Sequence, residues 1–169
     1  MVVILYNIRS LHNVGSIFRT ADAAGIEKIY LCGITPAPVD IFGKSRPQLI
    51  KVSLGAEKYV KWDASARSAR ATSRLLENLK SESYKIFAVE QSKKSIPYYN
   101  YKVRKKSVMI HHNTLKKAVL VLGNEVRGLP PSILKKADKI LEIPMRGRKE
   151  SLNVAVAFGI VAFHLNLVK

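Results

Sequence analysis

The stretch "AVLVLG" at residues 118–123 carries no polar side chain, and neither, before its closing tyrosine, does "VVILY" at 2–6. A strand with one wetted face alternates apolar and polar residues. One that is apolar throughout is covered on both faces, as in a parallel sheet with helices above and below. Three further short runs, "KIYLCG" (28–33), "KIFAVE" (85–90) and "KILEIP" (139–144), read as strands as well. Helical patterns lie among them, at 14–24, 64–80, 131–137 and 151–167, the third opening on Pro130-Pro131-Ser132. The alternation predicts an α/β fold, a mostly parallel sheet flanked by helices. A chain of 169 residues, 47% of them hydrophobic, fits one domain over 1–169 with one core.

The run from Ser151 to Val168 has no charged residue, a length at the lower limit of a membrane span. Asn153, Gly159, His164 and Asn166 interrupt it, so a buried helix is expected instead, with a subunit interface as one place to bury it. Ala155, Gly159 and Ala162 form a stripe of small residues along which another helix can come close. No secretory or transit segment is recognisable at the start, and cytoplasmic residence is the expectation. The lone Cys32 allows no internal disulfide and reads as a buried, inert thiol. His12, His111, His112 and His164 have no metal-ligand spacing, so no metal site is expected.

Twenty-nine Lys and Arg stand against twelve Asp and Glu, a net charge of +17. That excess points to a polyanionic partner, and its spread over many segments favours nucleic acid over a membrane surface or an acidic protein. On the predicted helix 64–80, Arg67, Arg70 and Arg74 share one face, either as an RNA grip or as solvated decoration. The loops 34–48 and 92–114 are long enough to suggest function or mobility. The second holds Tyr98, Tyr99 and Tyr101 beside Lys102, Arg104, Lys105 and Lys106. Those rings either stack on RNA bases or pack the loop down.

Three constellations carry the chemistry. In "NVGSIFRTADAAG" (13–25), Val14, Ile17, Ala21 and Ala24 mark a core face while Arg19 points away from it. Asn13 stands where a helix cap belongs, and Gly15 lets another group approach the backbone. In "LVLGNEVRGLP" (120–130), Gly123 and Gly128 bracket a turn after a strand. Their spacing is that of a P-loop, but Leu129-Pro130 replaces the Lys-Ser/Thr such a loop needs. Asn124 and Glu125 then lie where open α/β sheets contact ligands, although the glycines alone would explain the turn. In "IPMRGRKESLNV" (143–154), Gly147 permits a tight loop and Ser151 is placed to cap the last helix. Asn153 in that apolar setting needs a partner, and Arg146, Arg148 and Lys149 stand beside it to hold phosphates.

Together, N-x-G-S-x-x-R-T-A, G-N-E-x-x-G and I-P-M-x-G…S-L-N-V resemble, in this order, the motifs of the SpoU/TrmH family of RNA 2′-O-ribose methyltransferases, within the SPOUT class. The match covers essentially the whole chain, and Ala155 departs from the serine common after S-L-N-V. The resemblance implies a C-terminal deep trefoil knot, a homodimer and S-adenosylmethionine as cofactor. It places Leu122, Gly123, Asn124, Ile143, Met145, Ser151 and Leu152 in the cofactor pocket, and Asn13, Arg19, Glu125, Ser151 and Asn153 in the catalytic and substrate-orienting set. It also implies a site formed across the dimer, with Arg19 serving the other subunit's pocket.

The expected substrate is structured RNA, tRNA or rRNA. The RNA contacts are Arg9, Arg19, Arg67, Arg70, Arg74, Arg127, Arg146, Arg148 and Lys149, all within the catalytic domain, with no separate RNA-binding extension. Because arginine stays protonated, Arg19 is expected to hold a phosphate and stabilise developing charge, not to act as a literal base. A non-catalytic RNA-binding or assembly factor on the same fold is the alternative. A nucleotide-dependent dehydrogenase is disfavoured by the missing glycine fingerprint.

Overall fold

The computed structural model describes residues 1–101 and 117–167. Lys102, Arg104, Lys105, Lys106, His111 and His112 lie outside the described residues. Among the described residues, seven strands form one sheet: β1 (Val2–Tyr6), β2 (Lys28–Cys32), β3 (Lys61–Asp63), β4 (Lys85–Val89), β5 (Ile96–Pro97), β6 (Ala118–Leu122) and β7 (Lys139–Glu142). Their order is β3-β2-β1-β6-β4-β7-β5, so β6 is inserted between β1 and β4, and β7 between β4 and β5. All six pairings are parallel.

The unbroken apolarity of β1 and β6 has its expected cause. Val3 and Leu5 with Ala118, Leu120 and Leu122 join the core on one face, beneath α1 (Leu11–Ala23) and α5 (Val154–Leu167). Val2, Ile4, Val119 and Val121 join a second core on the other, beneath α3 (Ala69–Ser81) and α4 (Pro131–Leu134). There are two cores, not the one expected, because a sheet buried on both sides separates them. Phe18, Phe87 and Phe158 are fully buried in the first, each worth about 1.5–3 kcal/mol of transfer free energy. Cys32 is buried, which pushes its thiol up to about 11 and leaves it un-ionised and inert.

Helix boundaries differ from the sequence reading wherever a hydroxyl or amide takes a different capping role. Ser10, not Asn13, caps α1, its Oγ accepting the Asn13 amide at 3.2 Å. Ser68 caps α3 in the same way, accepting from Ala71 N at 3.1 Å. The helix therefore starts at residue 69 and not 64, and Arg67 lies before it, donating to Thr35 O at 2.6 Å. The stripe Arg67-Arg70-Arg74 is thus reduced to Arg70 and Arg74 on the helix. The helix expected at 131–137 is only Pro131–Leu134. Within 34–48 the chain already enters α2 (Pro47–Ser53), started by its proline. Tyr98 and Tyr101 pack against the first core, Tyr101 edge-on to Phe87 at 4.8 Å and Tyr98 edge-on to His164 at 5.0 Å. For those two rings the packing reading holds.

Helix α1 lies between α2 and α5. A Cβ added at Gly15 would stand 2.5 Å from the Leu49 carbonyl oxygen and 3.0 Å from Val52 Cβ, so the close approach that Gly15 permits is that of α2, not of a ligand. On the α5 side, the small-residue stripe brings Gly159 against α1, with Thr20 Cγ2 3.5 Å from where its Cβ would be. No helix among the described residues is long and apolar enough to cross a membrane. In denaturant unfolding, Gly15→Ala is expected to lower stability by about 1–3 kcal/mol through overpacking. Gly147→Ala, which would meet nothing within 4 Å, serves as the neutral control. Equal midpoints for the two variants would contradict this packing.

Candidate active site

Parallel strands bring their carboxyl ends to one edge. Register aligns Leu5 of β1 with Leu122 of β6, and Val89 of β4 with both Leu122 and Leu141. The three constellations leave the sheet along this edge: the turn from β1 into α1, the turn after β6, and the loop from β7 into α5.

The turn after β6 is compact because only glycine fits at its ends. A Cβ at Gly123 would fall 2.5 Å from the Gly128 carbonyl carbon, and Gly128 itself has a φ of 62°. Asn124 Oδ1 accepts the amides of Val126 (3.0 Å) and Arg127 (2.9 Å), while its Nδ2 donates to Asn7 O at 2.8 Å. Asn124 thus ties this turn to the end of β1. From the far side, Glu90 accepts the Leu129 amide at 2.7 Å.

Glu125 projects from the turn to the start of α1. Its carboxylate accepts the amides of Arg9 (3.0 Å to Oε2) and Ser10 (3.1 Å to Oε1), together with Asn13 Nδ2 at 3.0 Å. Burial pushes this carboxyl up. The Arg9 amide and the Asn13 side chain, joined by the amides of Glu125 itself and Ser10, outweigh that and hold it below its ordinary 4.5. The other half of Asn13 closes the chain of contacts: its Oδ1 accepts Asn153 Nδ2 at 2.9 Å. Asn13 is 8% exposed and so finds both partners that a buried amide requires.

Asn153, not Ser151, caps α5, its Oδ1 accepting the amides of Ala155 (2.8 Å) and Val156 (3.4 Å). The helix starts at Val154, and Ser151 stands exposed in the loop before it. This places the two polar residues at the crossing into the apolar run: Asn153 starts the helix and reaches Asn13, while Ser151 faces a cavity.

That cavity, of about 340 Å³, is lined by Leu122, Gly123, Asn124, Glu125, Ile143, Met145, Ser151 and Leu152. All seven sequence-expected cofactor residues therefore meet at one place. Asn13 and Asn153 stand beside it through the hydrogen-bond chain. Arg19 does not line it, and is exposed on α1. Arg9, Arg127, Arg146, Arg148 and Lys149 are exposed, on the turns and loop of the same edge. Arg67, Arg70 and Arg74 are exposed around the start of α3. Sequence reasoning missed Glu90, Gln91, Glu142 and Glu150, which also line the cavity. Glu90 could have been found, because it ends "KIFAVE" at the carboxyl edge just as Asn124 follows β6. Glu142 and Glu150 carried no such signal.

Residues 1–163 match the SpoU rRNA Methylase family. The chain belongs to that family. It is 31% identical over 163 residues to a tRNA (guanosine(18)-2′-O)-methyltransferase of Aquifex aeolicus, covering 96% of this chain and 67% of that protein. A 23S rRNA (guanosine-2′-O-)-methyltransferase RlmB of Neisseria meningitidis is 30% identical over 161 residues, 95% of this chain and 56% of its own. Among solved SpoU structures, the A. aeolicus TrmH/SpoU tRNA modifying enzyme superposes with a TM-score of 0.76 at 29% identity, over 99% of this chain and 74% of that one. An AdoMet-bound rRNA methyltransferase from Sinorhizobium meliloti gives 0.73 at 27%, over 97% and 54%. The chain thus spans between 56% and 67% of the length of the two curated relatives.

The depressed Glu125 carboxyl has a consequence for stability. The anion's contribution is fully present above the ordinary 4.5 and is lost as pH falls through the lower folded value. Glu125→Gln is therefore expected to be less stable than the parent at neutral pH, with the gap closing under acid. Parallel unfolding midpoints across the acid range would contradict the clamp.

Proposed function

We propose that this chain transfers the methyl group of S-adenosylmethionine to a ribose 2′-hydroxyl of tRNA or rRNA, with residues 1–169 as one catalytic domain acting in a homodimer. The observation that carries the reading is the meeting of three distant segments beside one cavity, held by the chain Glu125–Asn13–Asn153. The cavity suits the cofactor in size, being at the lower end of the roughly 300–1,000 Å³ typical of small-molecule sites. Its chemistry suits it too. Leu122, Ile143, Met145 and Leu152 offer apolar walls to a purine, and Glu90, Glu142 and Glu150 offer negative charge to a cationic sulfonium and ammonium.

When bound there, the cofactor supplies an electrophilic methyl. The chain's own residues do the rest. The 123–128 turn and the 143–152 loop form the walls against which the donor lies. Ser151 and Asn153 orient the ribose. Arg19 holds an RNA phosphate and stabilises the charge that develops on the attacking 2′-oxygen, its permanent protonation suiting that part and not proton abstraction. Since Arg19 does not line the cavity of its own chain, it serves the cavity of the second subunit. An apolar, uncharged α5 with Val156 still 51% exposed supports such a dimer. The interleaved strand order supports the trefoil knot of the C-terminal half. Substrate grip falls to Arg9, Arg127, Arg146, Arg148 and Lys149 near the site, with Arg70 and Arg74 on α3, while Arg67 is engaged with Thr35 O.

Arg19→Ala is expected to abolish transfer of labelled methyl to RNA, with calorimetric S-adenosylmethionine binding nearly unchanged. Normal turnover, or loss of cofactor binding, would refute the role given to Arg19. RNA affinity is expected to fall about 10³-fold or more between 50 and 200 mM salt if six or more phosphates are neutralised. An affinity that is flat over this range would rule out the cationic grip.

A further inference from the structure

Among the described residues, the most exposed large apolar side chains are Ile41, at 90%, and Phe42, at 85%. They are neighbours at the tip of a hairpin. Val39 and Ser45 pair antiparallel, Asp40 N donates to Lys44 O at 2.8 Å, and Arg46 N donates to Pro38 O at 2.9 Å. The tip is fixed from inside by Asp40, whose Oδ1 accepts the amides of Phe42 and Lys44, each at 2.9 Å. Gly43, with a φ of 78°, makes the reversal. A turn with this many internal bonds presents the two apolar side chains outward and cannot fold them back.

The hairpin is also mounted rigidly. Thr35 is fully buried, its Oγ1 lying 2.8 Å from the carbonyls of Leu5 and Cys32 and accepting the Ile8 amide at 3.1 Å. The Arg67 guanidinium braces the same base by donating to Thr35 O. This reassigns Arg67 from free RNA contact to support. The hairpin leaves the carboxyl end of β2, which is in register with β1 (Tyr6 opposite Cys32), so it rises from the edge of the sheet that carries the cavity.

Charge indicates what the tip meets. From 39 to 51 the charged side chains are Asp40, Lys44, Arg46 and Lys51, and Asp40 is engaged in the turn. The outward charge is therefore cationic. A flat aromatic ring on a rigid support beside cations is the arrangement that receives an unstacked nucleobase next to its phosphate.

We propose that the 38–46 hairpin is a base-stacking finger, with Phe42, backed by Ile41, lying against an unpaired base of the RNA while Lys44 meets an adjoining phosphate. This rests on the RNA methyl-transfer reading and adds a substrate class to it: RNA whose bases near the target ribose are splayed from a loop. A duplex would offer Phe42 no open base face.

Filter binding to oligoadenylate and to an RNA duplex of equal length tests the finger, with sedimentation and S-adenosylmethionine calorimetry on the same samples. Phe42→Ala is expected to weaken oligoadenylate binding roughly five- to hundredfold, with cofactor affinity and oligomeric state unchanged. Phe42→Trp restores binding, and Lys44→Gln lowers the salt slope by about one. Unaltered oligoadenylate binding by Phe42→Ala overturns the finger and leaves the methyl-transfer reading standing. So does a duplex bound as tightly as the single strand, or a variant that sediments as a smaller species, since the tip would then meet a second copy of the chain. A parent protein that takes up neither RNA nor S-adenosylmethionine overturns both.

Discussion

One buried asparagine holds the working edge of this molecule together. Asn13 donates from Nδ2 to Glu125 and accepts at Oδ1 from Asn153 Nδ2, partners 112 and 140 residues away in the chain. Neither contact is local, so neither forms until the sheet has brought the ends of β1, β6 and β7 into register. Once formed, they fix the turn after β6 to the first turn of α1 and to the cap of α5. Loss of one partner would strand a buried polar group, a cost of about 1–3 kcal/mol. That is enough to loosen the loops around the cavity without unfolding a doubly covered sheet. The site is therefore held by polar contacts, while the fold rests on apolar ones.

The same edge separates charge in space. The chain carries +17 overall, yet the cavity collects Glu90, Glu125, Glu142 and Glu150. Two of these carboxylates are held in place by named donors besides those of Glu125: Glu90 takes the amides of Leu129 and Gln91, and Glu142 takes the Ser95 hydroxyl at 2.5 Å. They stand fixed at the cavity of a chain that is positive overall. The acidic cavity is thereby set apart from a cationic rim, where Arg127, Arg146, Arg148 and Lys149 stand exposed.

The sheet was legible because burial on both faces leaves an unmistakable run of apolar residues, as in β1 and β6. Edge strands leave no such trace. Lys61–Asp63 and Ile96–Pro97 are too short to show a period, and pairing with β2 and β7 makes them strands. Capping was the harder reading, because Ser, Asn and Thr look equivalent in sequence and only the local backbone decides among them. Asn13 looked like a cap and is a connector, whereas Asn153 looked like a side chain in need of a partner and is both a cap and Asn13's donor. The gathering of Leu122, Gly123, Asn124, Ile143, Met145, Ser151 and Leu152 around one cavity was legible through family motifs. The acidic lining was legible only at Glu90, because Glu142 and Glu150 resemble ordinary surface charge until the fold brings them to the cavity.

Helix α1 explains why Arg19 stands away from the cavity of its own chain. Six residues separate Asn13 from Arg19, which on a helix means a rotation of about 120° between them and a rise of about 9 Å. Asn13 must face Glu125 and Asn153 for the edge to hold, so Arg19 is directed away from the cavity that Asn13 backs. Gly15 and Gly159, by letting α2 and α5 pack closely on either side, leave α1 no freedom to turn and change this. An arginine so constrained presents its charge outward from α1. The packing that holds Asn13 toward Glu125 and Asn153 thus also fixes the outward direction of Arg19.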